Sequence, residues 1–122
     1  MAVMTINRLP VPVSPSVTIA ETESLSGDVD LQGGERQLVG IQMPAAWTAA
    51  GVSFAVSADG TTWVPLYWDD SEYVVDAAAS RGISLEPSAF AGWPYVRVRS
   101  GTAGTPVNQD AERTLVVMTR AV

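Results

Sequence analysis

The chain has 122 residues, 47% of them hydrophobic, and a formal net charge of −6. A domain of this length buries roughly two-thirds of its unfolded surface, so no staple is required, and the apolar content excludes a chain disordered throughout. There is no Cys and no His, and all seven basic residues are Arg, which removes disulfides, thiolate metal sites, Ser-His-Asp and Cys-His catalysis, and Schiff-base or P-loop lysine chemistry.

The acidic balance also sets the expected partners. No basic cluster interrupts it, so no nucleic-acid partner is expected, and the acidity itself serves solubility. Residues 1–9 carry one Arg and lack the apolar core of a secretory leader, and no run of 18 apolar residues suggests a span. The expectation is a protein made in a cytoplasm with no membrane partner.

Residues 1–15 stand apart. Pro10, Pro12 and Pro15 disfavour helix and central strand and favour an extended polyproline-like chain. Ile6, Leu9, Val11 and Val13 make the segment too apolar for a purely solvated linker. One reading is a disordered start, or one folded over its own domain. The sharper reading is an arm, 1–15, that docks on a partner through Ile6, Leu9, Pro10, Val11, Pro12 and Val13, ahead of a domain over 16–122.

From Ser16 the pattern is short strands and turns. Residues 16–21 alternate, with Val17 and Ile19 on one face. Residues 28–31 place Val29 and Leu31 inward and Asp28 and Asp30 outward. Gly33-Gly34 marks a turn, residues 37–43 form a mostly apolar strand, and Pro44 stops it. Residues 45–51 suit a loop or one helical turn. Val52, Phe54 and Val56 then alternate with Ser53, Ala55 and Ser57, the period of a half-buried strand. Asp59-Gly60 is a hairpin signal, and the chain returns from Trp63 to Trp68. A two-residue turn pairs Val56 with Trp63, whereas a three-residue turn with a bulge sets Val64 and Leu66 against the apolar face. Pro65 puts this return strand at an edge.

Asp69-Asp70-Ser71 reads as a polar turn, residues 72–77 as a strand, and 81–85 as a short strand with Ile83 and Leu85 on one face. Residues 86–92 suit one helical turn, Pro near its start and Gly at its end. Residues 95–100 alternate Val96 and Val98 against Arg97 and Arg99. A long loop over 101–112 leads to a last strand, 113–120, apolar on both faces around 115–118 and therefore central. About eight antiparallel strands without a long helical pattern predict a single all-β domain, a jelly-roll-like β-sandwich.

Two resemblances bear on this expectation. The run from Trp47 through Ser57-Ala-Asp-Gly-Thr-Thr-Trp63 resembles the strand–turn–strand of galactose-binding-like, discoidin-type jelly rolls, and Tyr95-Val-Arg-Val-Arg99 resembles a later strand of that fold. More broadly, Ser24-Leu-Ser-Gly-Asp-Val-Asp-Leu31, Leu38-Val-Gly-Ile-Gln-Met-Pro-Ala-Ala-Trp47, Phe90-Ala-Gly-Trp93, Arg99-Ser-Gly-Thr102 and Pro106-Val-Asn-Gln109 resemble small virion proteins of tailed bacteriophages. That resemblance implies a non-enzymatic structural component, a head decoration or appendage-base protein, with other virion proteins as partners and a homo-oligomeric state.

Chemistry-bearing constellations are few. Asp28 and Asp30 share a strand face, as a pair of glycosidase carboxyls would, but solvent exposure opposite Val29 and Leu31 explains them more simply. Asp69, Asp70, Glu72 and Asp76 offer oxygen ligands for Ca²⁺; adjacent Asp residues are also ordinary in turns, and no metal or cofactor is expected. Among the aromatics, Trp68 beside Asp69 and Asp70, or Trp93 near Arg97 and Arg99, suits a sugar platform, a subunit contact or the rim of the core. The candidate contact residues are therefore Tyr67, Trp68, Asp69, Asp70, Trp93, Arg97 and Arg99. The alternative function is a carbohydrate-binding module attaching a particle or enzyme to glycans.

Overall fold

The computed structural model describes residues 14–122. Ten strands run in chain order: β1 Ser16–Ile19, β2 Val29–Asp30, β3 Arg36–Gln42, β4 Val52–Ser57, β5 Val64–Pro65, β6 Tyr67–Trp68, β7 Ser71–Glu72, β8 Gly82–Ser84, β9 Tyr95–Ser100 and β10 Arg113–Ala121. Eight of them form two four-stranded sheets, β1-β10-β3-β8 (sheet I) and β2-β9-β4-β5 (sheet II), while β6 and β7 pair only with each other. Every pairing is antiparallel: β1 with β10, β2 with β9, β3 with β8 and β4 with β5, cross-linked by β10–β3 and β4–β9. The chain is thus one long hairpin wrapped into two layers. This is the jelly-roll sandwich that the strand count and turn spacing predict.

Alternation builds the core between the layers. Val17 and Ile19, Val29 and Leu31, Val96 and Val98, and Leu115 and Val117 all point inward and are buried. Fully burying such a side chain contributes about 1.5–3 kcal/mol. An aromatic cluster closes the sandwich near β4: Phe54 and Phe90 meet edge to face at 5.0 Å, and Tyr73 lies 5.8 Å from each. Phe90 arrives on a 3-10 turn, Pro87–Phe90, whose first free N–H groups are met by Glu86 through Ser88. Proline near the start of this turn and Gly92 just beyond it match the sequence signals.

Two expectations need correction. β4 is buried on both faces rather than one. Its Ser53, Ala55 and Ser57 lie beside Arg99, Arg97 and Tyr95 of β9; the Arg97 guanidinium sits 4.2 Å from the Trp63 ring, so small side chains are overlain by large ones. β10 is central in its sheet, as its apolar run predicts, with β1 on one side and β3 on the other; on its outer face Val116 and Met118 are half-buried. The strand expected over 72–77 is broken up: Ser71 and Glu72 belong to the β6–β7 ribbon, and Val75 makes an isolated bridge to Val52.

The hairpin register is the bulged one. Val56 pairs with Val64 and Ala55 with Pro65. The Asp59 carboxylate accepts from the N–H groups of Thr61 (2.8 Å) and Thr62 (2.9 Å), and Gly60 takes φ +80°. The carboxylate thus organises a wider turn than a two-residue Asp-Gly connection. Pro65 lies in the edge strand of sheet II, where its missing N–H costs no ladder bond.

Candidate functional site

Exposed apolar surface concentrates in one place. Of the five large hydrophobic residues exposed among the described residues, Val64, Tyr67, Trp68 and Val74 all lie within 64–74, and the fifth is the terminal Val122. Tyr67 is 61% exposed and Trp68 40%. Clustered aromatics in solvent, unlike scattered ones, mark a contact surface.

The chain reaches this surface through a small excursion from the edge of sheet II. Leu66 is buried and its N–H donates to the Phe54 carbonyl (2.9 Å); Tyr73 rejoins the core, its N–H donating to the Leu66 carbonyl (2.9 Å). Between these anchors the chain forms the β6–β7 ribbon, Tyr67 opposite Glu72 and Trp68 opposite Ser71. Asp69 and Asp70 make the turn with φ of +55° and +67°. Positive φ at both central positions is the requirement of a type I′ turn, normally met by Asn-Gly. Here two carboxylates occupy it, strained and exposed.

Three further contacts brace the base. The Tyr73 hydroxyl accepts from the Glu86 N–H (2.9 Å). Glu72 accepts from the Ala103 N–H (2.9 Å) and meets Arg99 Nη1 at 3.4 Å, a pair with side chains only 12% and 17% exposed. Glu72 is therefore turned away from Asp69 and Asp70. No cluster of three acidic side chains that could hold a metal occurs among the described residues.

The candidate residues separate into two groups. Tyr67, Trp68, Asp69 and Asp70 come together on the ribbon. Trp93 packs against the core, Arg97 is held by Asp28 at 2.6 Å and by the Trp63 face, and Arg99 by Glu72 and Ser53. The expected arm residues Ile6, Leu9, Pro10, Val11, Pro12 and Val13 lie outside the described residues. The Pro15 carbonyl accepts from the Val117 N–H (2.9 Å), so the sandwich takes in the last residue assigned to the arm.

Comparison with known proteins gives little to set beside this geometry. No family model and no curated protein matches the chain. Among solved structures, a chain described under Bacillus endospore appendages, a family of disulfide-linked pili, is similar at 12% identity and a TM-score of 0.45, over 93% of this chain and 87% of that one. The absence of Cys from these 122 residues leaves no disulfide by which they could be linked.

The polar turn expected at 69–71 is the tip of the ribbon, and the bracing by Glu72 and Tyr73 is not visible in the sequence pattern. The readable signal was a two-residue acidic turn between Tyr67-Trp68 and Ser71-Glu72, flanked by apolar Leu66 and Tyr73. That pattern is a hairpin within a hairpin.

Proposed function

We propose that the chain is a non-enzymatic structural protein of a tailed-phage virion, acting by protein–protein contact, made in the bacterial host cytoplasm and carried on the particle as a head decoration or at the base of an appendage. The observation that carries the contact reading is the braced ribbon with Tyr67 and Trp68 in solvent. A surface anchored at Leu66, Tyr73 and Glu72 loses little conformational freedom on docking, and rigid aromatic anchors supply most of the energy of an interface. The phage assignment draws its support from the sequence runs at 24–31, 38–47, 90–93 and 99–109. The residues 1–15 supply a second attachment element in this reading, and identical copies repeated on a particle gain strength from many weak contacts.

The glycan reading finds less support. Neighbouring residues of a strand point to opposite faces, so Tyr67 and Trp68 do not form one stacking platform. Mass spectrometry of purified particles from a lysate of the host tests the proposal. It expects the chain at a copy number comparable with the other structural proteins. Recovery only in the soluble host fraction would sink the virion assignment.

A further inference from the structure

A second feature lies on the other sheet. A recess of about 570 Å³ opens where β3 meets β8 at the margin of sheet I, lined by Ile41, Gln42, Met43, Arg81, Gly82 and Met118 among others. Its size falls in the range of binding clefts, about 300–1,000 Å³. Glycines help shape it. At Gly82 a Cβ would meet only open space, and Met118 lies across Gly40 so closely that a Cβ there would come within 2.6 Å of its methyl group. Ile41 and Met43 lie buried at its base, the half-buried Met118 gives it an adaptable thioether, and Gln42, Ser80 and Arg81 add polar atoms.

The recess carries a positive charge at its margin. Arg97, Arg99 and Arg113 are each ion-paired. Arg81 is exposed, lines the recess, and forms no ion pair among the described residues. No carboxylate lines the recess. A guanidinium beside the Met118 thioether suits an anion carried next to an apolar side chain.

The β6–β7 tip offers that combination: the Trp68 indole, then the carboxylates of Asp69 and Asp70, all exposed. We infer that this tip docks into the Arg81 recess of a second copy of the chain, Trp68 entering the hollow and Asp69-Asp70 meeting the Arg81 guanidinium. The inference rests on the reading of the ribbon as a contact surface and names its partner. Tip and recess belong to different sheets, and no residue of the tip lines the recess, so the contact joins two molecules. It is heterologous: each docked pair leaves one tip and one recess unused, and the contact propagates into a ring or filament unless capped.

Sedimentation velocity of the purified protein tests this. Wild type should associate with a Kd of about 1 mM or tighter, and raising salt well above about 0.15 M should weaken it by screening the Asp–Arg contact. Arg81→Glu spoils the recess; Trp68→Ala with Asp69→Asn and Asp70→Gly spoils the tip. Each variant alone should associate about 10-fold or more weakly than wild type. Their mixture joins one intact tip to one intact recess and should give a 1:1 complex that grows no further. Circular dichroism checks that both variants are folded, and the Asn-Gly turn favours the ribbon. A wild type that stays monomeric, variants that associate like wild type, or a mixture that forms no heterodimer would each overturn the inference. A monomeric protein still recovered in particles would refute self-docking alone. Absence from particles would refute the virion reading.

Discussion

Gln109 is fully buried and uses its whole hydrogen-bonding capacity. Its Oε1 accepts from the Thr48 N–H (2.8 Å) and Arg113 Nε (3.1 Å), and its Nε2 donates to the Thr48 carbonyl (3.1 Å) and Ser100 Oγ (2.7 Å). Its backbone joins Thr22 and Glu23 as well. One residue therefore ties the loops around 22, 48 and 109 to β9 and β10. Gln109→Leu keeps the bulk and removes all four bonds. Arg113 retains Asp110 at 2.7 Å and Thr48 Oγ1 at 3.3 Å, so its loss is small. The buried Ser100 hydroxyl and both backbone groups of Thr48 are left without partners, and each such group costs about 1–3 kcal/mol. Thr48 is only half-buried and recruits water, which puts the total at roughly 3–4 kcal/mol. Urea titration followed by tryptophan fluorescence should show that loss, and calorimetry a fall in Tm of roughly 10–20 °C. A loss below about 1 kcal/mol would refute the view that this node holds the loops.

The remaining expectations concern turns. Gly101 has φ +87°, and a Cβ there would lie 2.5 Å from the Thr105 carbonyl oxygen; Gly101→Ala should cost about 2–4 kcal/mol in the same titration. Replacing Asp69-Asp70 by Asn-Gly should raise stability by about 0.5–1 kcal/mol, since it relieves two non-glycine residues at positive φ. The N–H groups of Thr62 and Thr61 and the Ser57 hydroxyl hold the Asp59 carboxyl below its ordinary value of 3.8. A lowered folded-state pKa stabilises the fold at pH above 3.8 and ceases to do so as pH falls through the folded-state value. The stability difference between wild type and Asp59→Ala should therefore be constant near neutrality and shrink below pH 3.8, as measured by urea titrations across pH.

Much of the sandwich was legible because its strands obey local rules. Val96 and Val98 against Arg97 and Arg99, and Val29 and Leu31 against Asp28 and Asp30, declare their faces by alternation alone. Pro65 declares an edge, and Pro87 with Gly92 a helical turn. What stayed hidden depends on partners distant in sequence. Ser53, Ala55 and Ser57 look like a solvent face until Arg97, Arg99 and Trp63 fold over them. Residues 115–118, apolar on both faces, place β10 centrally in its sheet, yet how far Val116 and Met118 are covered is not a property of their own strand. Gln109 reads as one polar residue in a long loop, because its four partners lie at 48, 100 and 113. At the site, the exposure of Tyr67 follows from Leu66 turning inward, whereas that of Trp68 follows from the β6–β7 ribbon pairing only with itself, outside both sheets.

The direct test of the contact reading is hydroxyl-radical footprinting of the aromatic residues, free and in assembled particles. In the isolated protein Tyr67 and Trp68 should oxidise readily, with Tyr73 and Phe90 spared. On the particle Tyr67 and Trp68 should be protected, while the half-buried Trp47, whose indole N–H donates to the Ala50 carbonyl (3.0 Å), keeps its reactivity. Equal oxidation of Trp68 in the free and assembled protein would contradict the account.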